Sequence, residues 1–277
     1  MPARTAPALP VALLDLPDRS ALPALTPERY ALAHAAFEDR STQRSVIADW
    51  LTARLRRRPC RTAVLSVGCG DGRLDAEVAA RVSAGRTAPL RLDGLDPHQP
   101  SAVQFLSRVG AVPGVDAGAC IGTADAFAAF RSYDVIIAVH SLYYAVDLPS
   151  VLIRLRAALR PAGELVMLLA PLGDLNMVAG ALAPDTGGHR QWWSHDLADA
   201  LAEVGMTAER TTLRGVLRLD DCLDQANETG RAILDFTAQA VLPEALRVPV
   251  LDHLISVRMP GQGLALDHPV DAWVVSA

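Results

Sequence analysis

Three glycines at alternate positions follow directly on a short apolar segment. Residues 63–67 (Ala-Val-Leu-Ser-Val) are typical of a buried strand, and residues 68–72 read Gly-Cys-Gly-Asp-Gly before a helical pattern begins. Glycine lets the backbone turn sharply and lets a ligand lie against amide groups without interference from a Cβ atom. A dinucleotide fingerprint would need one more glycine where this chain has Arg73, so a nicotinamide dehydrogenase is the least favoured reading.

Two carboxylates follow the next two predicted strands. Asp96 comes directly after a strand predicted at residues 90–95, and an acid there is well placed to accept hydrogen bonds from both hydroxyls of a ribose. Asp125 follows a short strand predicted at 118–121, at a point where the amino group of an adenine is often bound. The segment around Asp125 reads equally well as a helix cap, so both interpretations stay open.

The segment that ends a fourth, strongly apolar strand at residues 133–140 carries His140, Tyr143 and Tyr144. In an open parallel sheet the ligand crevice lies beyond the carboxyl ends of the strands, so these side chains are predicted to meet a second ligand. An imidazole can accept, donate or carry a proton near neutral pH, which makes His140 the candidate base or orienting hydrogen bonder. The two tyrosines are predicted to form walls of the ligand site.

The elements that must position these side chains alternate between short apolar runs and helical patterns. Apolar strands separated by helices predict an α/β fold with a mostly parallel sheet covered on both faces. Further strands are predicted at 164–169 and 270–275, and helices at 74–82, at 148–159 and from Ser194 onward.

The chain organisation follows from composition along the sequence. Residues 1–25 are rich in proline and predict a flexible arm, and the sequence Thr26-Pro27 predicts a helix start that opens a helical segment at 26–58. Residues 59–277 are predicted to form the main domain, with an insertion at about 215–262 that covers a substrate.

Overall composition limits the classes of function. Of 277 residues 51% are hydrophobic and 21% charged, which predicts a large buried core and excludes global disorder. The net charge of −5 argues against a nucleic-acid partner. No apolar run is long enough for a bilayer, so no membrane partner is expected. Four widely spaced cysteines predict neither a disulfide framework nor a metal site and favour a cytoplasmic location.

The glycine loop, the Asp96-Pro97 pair and the His-Ser-Leu-Tyr-Tyr segment at 140–144 resemble those of class I S-adenosylmethionine (SAM) methyltransferases. Three stretches are similar to the histamine N-methyltransferase family in particular. These are residues 30–43, which end in Ser-Thr-Gln, residues 142–147, and residues 221–236, which begin Asp-Cys-Leu-Asp-Gln-Ala-Asn-Glu-Thr-Gly.

The resemblance implies a Rossmann-like methyltransferase sheet of seven strands, the last antiparallel, with an N-terminal helical lid and a C-terminal helical insertion. It implies S-adenosylmethionine as cofactor, S-adenosylhomocysteine as product, a small-molecule methyl acceptor and no metal. The implied cofactor-binding residues are Gly68, Cys69, Gly70, Asp71, Asp96, Pro97, Asp125 and Val139. The implied acceptor-binding residues are Tyr30, Phe37, Gln43, Tyr143, Tyr144 and His268, with His140 as the catalytic residue.

The chain departs from that family in the residues that contact the acceptor. The family's substrate-contacting glutamate falls on Gln43, its glutamine after the fourth strand on His140, and an asparagine near the C-terminus on His268. Because a carboxylate is the group best suited to hold a cation, its loss predicts an acceptor other than histamine. We therefore expect methylation of a nitrogen in a small heteroaromatic or amine metabolite of specialised metabolism. The alternatives are an O-methyltransferase for a phenol or carboxylate and a non-catalytic SAM-binding protein.

Overall fold

The computed structural model of the chain describes residues 22–59, 61–128, 132–185 and 191–277. The flexible arm predicted for residues 1–25 therefore lies outside the described residues as far as residue 21. Ala24, at the start of the described chain, pairs with Ala240 in an isolated antiparallel bridge. None of the described helices combines the length and apolar character that a membrane crossing requires.

The described residues form a seven-stranded sheet with the order β3-β2-β1-β4-β5-β7-β6. The first five strands run parallel, whereas β7 pairs antiparallel with β5, so the predicted Rossmann-like methyltransferase sheet is confirmed. The strands are β1 (Ala63–Val67), β2 (Leu90–Asp96), β3 (Val115–Ile121), β4 (Tyr133–Val139), β5 (Leu159–Leu169), β6 (Glu209–Arg218) and β7 (Ala265–Ser276).

Helices alternate with the parallel strands and continue beyond them. Thr26 caps the first helix by accepting a hydrogen bond from the Arg29 amide at 3.3 Å, which confirms the predicted start. The described helices are α1 (Pro27–Glu38), α2 (Gln43–Arg56), α3 (Arg73–Ser83), α4 (Gln99–Gly110), α5 (Leu148–Ala157), α6 (Met177–Leu182), α7 (Ser194–Glu203), α8 (Glu228–Ala238) and α9 (Glu244–Ser256).

The strand order reverses between β1 and β4, the two strands at the centre of the sheet. From β1 the chain continues outward to β2 and β3, and then returns to pair β4 with the other edge of β1. All five residues of β1 are buried, as are residues 135–138 of β4, because helices cover both faces of the sheet. Ligands of open α/β sheets bind beyond the carboxyl ends of the strands at such a reversal.

Several elements were missed or shortened in the sequence prediction, among them helix α4, which was not predicted, and strands β5 and β7, which begin at Leu159 and Ala265 rather than at 164 and 270. Strand β6 was not predicted, although its buried residues alternate at Leu213, Gly215 and Leu217, because its first four residues, 209–212, are polar and exposed and leave only a short apolar stretch. Strand β3 begins at Val115 rather than at 118, and as an edge strand it is only partly buried. The short helix α6 was not predicted, and the side chain of its N-cap residue, Asn176, makes no capping hydrogen bond.

The chain folds into two compact units. Among the described residues, the helical unit takes the chain up to Arg44 together with Pro171–Gln191 and Arg214–Val270. The sheet unit consists of Ser45–Ala170, Trp192–Leu213 and Asp271–Ala277. The core of the helical unit is built mainly from α6, α8 and α9 with the apolar residues of the neighbouring strand segments.

A fully buried carboxylate on β7 anchors the sheet unit at its C-terminal strand. Asp271 is 0% exposed and accepts hydrogen bonds from Ser194 Oγ (2.6 Å), Thr212 Oγ1 (2.6 Å) and an Arg210 guanidinium nitrogen (2.7 Å). Removing the charge from such a group leaves the surrounding donors without their partner.

We expect Asp271→Asn to lower the free energy of unfolding by about 2–4 kcal/mol, because an amide cannot accept all three donors. Asp267→Asn on the same strand is the matched control, since Asp267 is 61% exposed and lies 3.9 Å from the exposed Arg214. The control should change stability by less than about 0.5 kcal/mol. Urea unfolding of both variants measures the difference, and equal effects would contradict the role of Asp271.

Candidate functional site

The glycine loop after β1 is shaped by contacts to the neighbouring strands. Gly68 has φ +65°, and a Cβ atom there would lie 2.2 Å from Cβ of Ser141, so only glycine fits. Its amide donates to the Leu95 carbonyl at 2.7 Å, which ties the loop to β2. Gly70 also has a left-handed φ (+53°), but a Cβ there would meet no atom within 4 Å. The loop is thus closed toward the sheet at Gly68 and open at Gly70.

Asp96 stands at the end of β2 and is buried, with both carboxylate oxygens in use. Oδ2 accepts a hydrogen bond from the Gly70 amide and Oδ1 from the His98 amide, each at 2.9 Å. Each carboxylate oxygen keeps further acceptor capacity, so the group can still receive hydrogen bonds from two hydroxyls. The exposed Pro97 follows directly and starts the turn into α4.

Asp71, also in the loop, forms ion pairs with two guanidinium groups. Arg108 lies 2.7 Å and Arg73 3.0 Å from its Oδ2. Burial on its own would raise the pKa of Asp71, but the hydrogen bonds and charges of the two arginines outweigh it and hold the pKa below its ordinary value. Asp71 therefore remains charged and bound to the protein.

Asp75 in the first turn of α3 lies in the opposite electrostatic setting. Desolvation raises the pKa of its carboxyl group to about 6, although a hydrogen bond with Ser66 partly offsets the effect. Among the described residues no arginine forms an ion pair with it. The neighbouring Cys69 thiol is buried, and burial together with Asp75 and Asp96 raises its pKa far above the usual range, so it is not a nucleophile.

Asp125 follows β3 and binds the backbone of the segment after β4. Its Oδ1 accepts hydrogen bonds from the amides of Val146 (3.0 Å) and Asp147 (3.2 Å), and its carbonyl accepts one from Arg154 at 2.6 Å. The side chain thus joins two loops at the carboxyl edge of the sheet, and its second carboxylate oxygen takes no part in these bonds.

His140 directly follows β4 and has an unusual backbone conformation. Its φ of +51° lies in the left-handed region, which costs a non-glycine residue about 1 kcal/mol or more. Its amide donates to the Leu168 carbonyl at 3.0 Å, and the next residue, Ser141, donates through Oγ to the Val67 carbonyl at 2.7 Å. These bonds to β5 and β1 hold the turn in place. Val139, before it, is partly buried.

The imidazole of His140 is held by Tyr143. Nδ1 of His140 lies 2.7 Å from the Tyr143 hydroxyl, and the two rings stack at 5.8 Å with 16° between their planes. The same hydroxyl accepts a hydrogen bond from the Ala170 amide at 2.8 Å. Tyr143 is 7% exposed, so its ring presents little surface to solvent. Tyr144 is 48% exposed and packs edge-on against Tyr143.

Gln43 begins α2 in the helical unit and is buried. Its side-chain nitrogen Nε2 donates to the backbone carbonyls of His268 (3.0 Å) and Pro269 (3.2 Å). Gly215 packs against it, because a Cβ at that position would lie 2.8 Å from Cα of Gln43. Both donors of the side chain therefore bind backbone carbonyls of β7 within the helical unit.

His268 and the aromatic residues of α1 form one cluster in the helical unit. Nδ1 of His268 lies 2.7 Å from Ser41 Oγ, which also accepts a hydrogen bond from the backbone amide of Gln43. The imidazole ring of His268 packs edge-on against Phe37, with 5.2 Å between the ring centroids. Phe37 packs against Phe236 at 4.7 Å, and Tyr30 against the same ring at 5.5 Å.

The sequence-predicted residues thus form one set in each unit. The sheet unit brings together the glycine loop, Asp96, His140 and the two tyrosines, and the helical unit brings together Tyr30, Phe37, Gln43 and His268. Sequence reasoning did not single out Ser41, Asp75 or Phe236. A carboxylate three residues beyond the last loop glycine was the one available signal for Asp75.

The sequence of the chain was compared with protein-family profiles and with curated protein sequences. A family profile described as "Methyltransferase domain" matches residues 39–211, well over half of the chain. No curated protein sequence matches.

Solved structures with the same fold include three methyltransferase-like proteins. A candidate methyltransferase from Bacillus halodurans superposes with a TM-score of 0.54 at 14% identity, over 81% of this chain and 97% of that one. The plantazolicin methyltransferase BpumL, bound to a substrate analogue and S-adenosylhomocysteine, gives 0.53 at 10% identity, over 90% and 91%. The cyclopropane synthase MmaA2 from Mycobacterium tuberculosis gives 0.52 at 14% identity, over 83% and 82%.

The likeness to these structures shows the fold, and the family profile shows the family. The chain belongs to the methyltransferase domain family, and it is an S-adenosylmethionine-dependent methyltransferase.

Proposed function

We propose that the protein transfers a methyl group from S-adenosylmethionine to a nitrogen of a small heteroaromatic or amine metabolite other than histamine. The observation that carries the proposal lies in the sheet unit, at the ends of three adjacent strands. There β1 ends in a loop open at Gly70, β2 in the buried Asp96, and β4 in an imidazole held in one orientation.

The residues of the loop fit the cofactor chemically. Asp96 would receive the ribose hydroxyls, since both of its oxygens keep acceptor capacity, and Gly70 leaves the adjacent space free of side-chain atoms. Asp125 is the candidate partner of the adenine amino group. Asp75 is a carboxylate without an arginine partner among the described residues, which suits a cationic ligand. When bound, the cofactor supplies a methyl group on a positively charged sulfur.

The contribution of the protein is to orient the acceptor and to exclude water. Alignment of the reacting groups supplies much of the rate enhancement in such displacements. A positioned base or hydrogen-bonding group adds about 10²–10⁴-fold, and His140 is the side chain we assign to that role. Its ring is fixed by Tyr143 and its backbone by Leu168, so it is preorganised before an acceptor arrives.

Oxygen-directed transfer is the second candidate. Its support is the sequence alone: position 43, where the resemblance places a carboxylate, holds a glutamine whose side-chain donors already bind two β7 carbonyls, so this position supplies no negative charge that would favour a cationic amine. A phenol or carboxylate acceptor would carry no positive charge and would need no such partner.

Release of S-adenosylhomocysteine tests the proposal directly. We expect turnover with heteroaromatic nitrogen or amine acceptors and none with histamine. Turnover with phenols or small carboxylic acids alone would favour the second candidate. Tight binding of S-adenosylhomocysteine without turnover on any acceptor class would leave a binding protein and contradict both.

His140→Asn is the variant of choice in this assay, because asparagine tolerates the left-handed backbone better than alanine does. We expect turnover to fall by about 10²–10⁴-fold while S-adenosylhomocysteine binds normally. His195→Asn, which changes an exposed histidine of α7, is the control. Unchanged turnover in His140→Asn would remove His140 from the mechanism.

Restoring the family's glutamate at position 43 should destabilise the protein. In Gln43→Glu a carboxylate would face the carbonyl oxygens of His268 and Pro269, and we expect a loss of about 2–4 kcal/mol at pH 7. Gln225→Glu, at an exposed position of the same unit, should have no measurable effect. A stable Gln43→Glu variant that gains turnover on histamine would show instead that Gln43 contacts the acceptor.

The two loop carboxylates should respond to pH with opposite signs. The folded-state pKa of Asp75 is raised from 3.8 to about 6, so its charge destabilises the fold increasingly as pH rises through that range. We expect Asp75→Asn to be neutral near pH 4 and more stable than wild type by about 1–3 kcal/mol at pH 7, with weaker cofactor binding. Asp71 has a lowered pKa and stabilises at neutral pH, so Asp71→Asn should lose stability there and approach wild type in acid.

Thermal unfolding between pH 4 and pH 8 measures both variants. If Asp75→Asn were less stable than wild type at pH 7, the folded protein would stabilise the charged carboxylate of Asp75, contrary to this prediction. If its affinity for S-adenosylhomocysteine, measured by calorimetry, were unchanged, Asp75 would have no part in cofactor binding.

A further inference from the structure

The hydroxyl of Tyr143 has a fixed number of hydrogen-bonding groups to satisfy. It carries one proton, and its oxygen already accepts the Ala170 amide at 2.8 Å. Its second partner among the described residues is Nδ1 of His140 at 2.7 Å. Because the side chain is 7% exposed, the phenol proton has little access to water.

Two arrangements of the protons are possible between these rings. If His140 donated from Nδ1, the oxygen of Tyr143 would accept twice and its own proton would be buried without an acceptor among the described residues. If Tyr143 donates to Nδ1, both the proton and the oxygen of its hydroxyl have a partner. An unsatisfied buried donor is costly, which favours the second arrangement. Burial also raises the pKa of Tyr143 above its ordinary value, so the phenol keeps the proton to donate.

We propose that Tyr143 is a positioning residue that donates its phenol proton to Nδ1 of His140 and so keeps the proton of the neutral imidazole on Nε2. The Ala170 amide orients the hydroxyl, and the left-handed backbone of His140 brings its ring into the stack on Tyr143. The chain Ala170–Tyr143–His140 thereby links the residue after β5 to the residue after β4.

The consequence for the reaction rests on the proposed function of His140. With its Nδ1 lone pair bound to Tyr143 and its proton on Nε2, the neutral ring offers a hydrogen-bond donor and takes up no proton. His140 then orients the acceptor and does not deprotonate it. This favours acceptors that arrive with a free lone pair, such as a pyridine-like ring nitrogen or a carboxylate, over phenols and protonated alkylamines.

The tautomer can be measured without cofactor or acceptor. In ¹⁵N-histidine-labelled protein at about pH 8.5, well above the ordinary pKa of imidazole, long-range ¹⁵N–¹H correlation spectra distinguish the protonated ring nitrogen from the unprotonated one. His140→Asn assigns the His140 signals among the seven histidines. We expect a single tautomer with Nε2 protonated, and a proton on Nδ1 in the wild-type protein would overturn the proposal.

Tyr143→Phe tests whether the hydroxyl is the cause. We expect the Nδ1 signal to move toward that of a nitrogen without a hydrogen bond, and turnover to fall by about tenfold while S-adenosylhomocysteine binding is unchanged. Tyr133→Phe is the control. Tyr133 lies at the start of β4, the strand that His140 follows, and its buried hydroxyl donates a hydrogen bond to Asp93 on β2. An unchanged Nδ1 signal in Tyr143→Phe would contradict the proposal, whatever acceptor the enzyme uses.

If the spectra behave as expected but no acceptor is turned over, the tautomer stands and the proposed function fails. If nitrogen acceptors react and the wild-type spectrum shows a protonated Nδ1, the proposed function stands and the role of Tyr143 fails. The two ideas are thus separately tested.

Discussion

The close approach of the ends of β1 and β4 is the constraint on which the sheet unit depends. Ser141 comes so near to Gly68 that no side chain fits there, and its hydroxyl closes the gap by bonding the last carbonyl of β1. This contact lies where the strand order reverses, which is the edge at which ligands of open α/β sheets generally bind. A larger residue at position 68 would separate the loop from the strand that carries His140.

Of the carboxylates of Asp71, Asp96 and Asp75 around the loop, two are bound by arginines or by backbone amides of other residues, and the third, that of Asp75, has no such partner among the described residues. Two arginines bind Asp71, and two backbone amides bind Asp96. Asp75 has a hydrogen bond with the Ser66 hydroxyl and no ion pair with a described arginine. Its charged form is therefore destabilised by desolvation in the folded protein. Natural folds keep such local costs mainly where a ligand recovers them.

Sequence patterns predicted the parts of the structure that depend on local order. The apolar runs of β1 and β4 and the acid after β2 were found because burial and strand ends leave a direct trace in the sequence. The role of Gln43 was not predictable, since the direction of its amide depends on β7, more than two hundred residues later. Tyr143 was predicted to line the site, but its bond to the Ala170 amide needs the fold of β5. Strand β6 was missed because its first four residues are polar and exposed, which leaves too short an apolar pattern to mark a strand.

The left-handed backbone at His140 limits what can replace it during divergence. Asparagine, aspartate and glycine adopt φ near +50° at low cost, whereas glutamine, the residue of the resembled family, would pay about 1–2 kcal/mol for the backbone alone. The choice of side chain at this position is therefore limited by chain geometry, whatever its chemical role. Divergence at position 140 must either stay within a small group of short polar residues or rebuild the turn after β4.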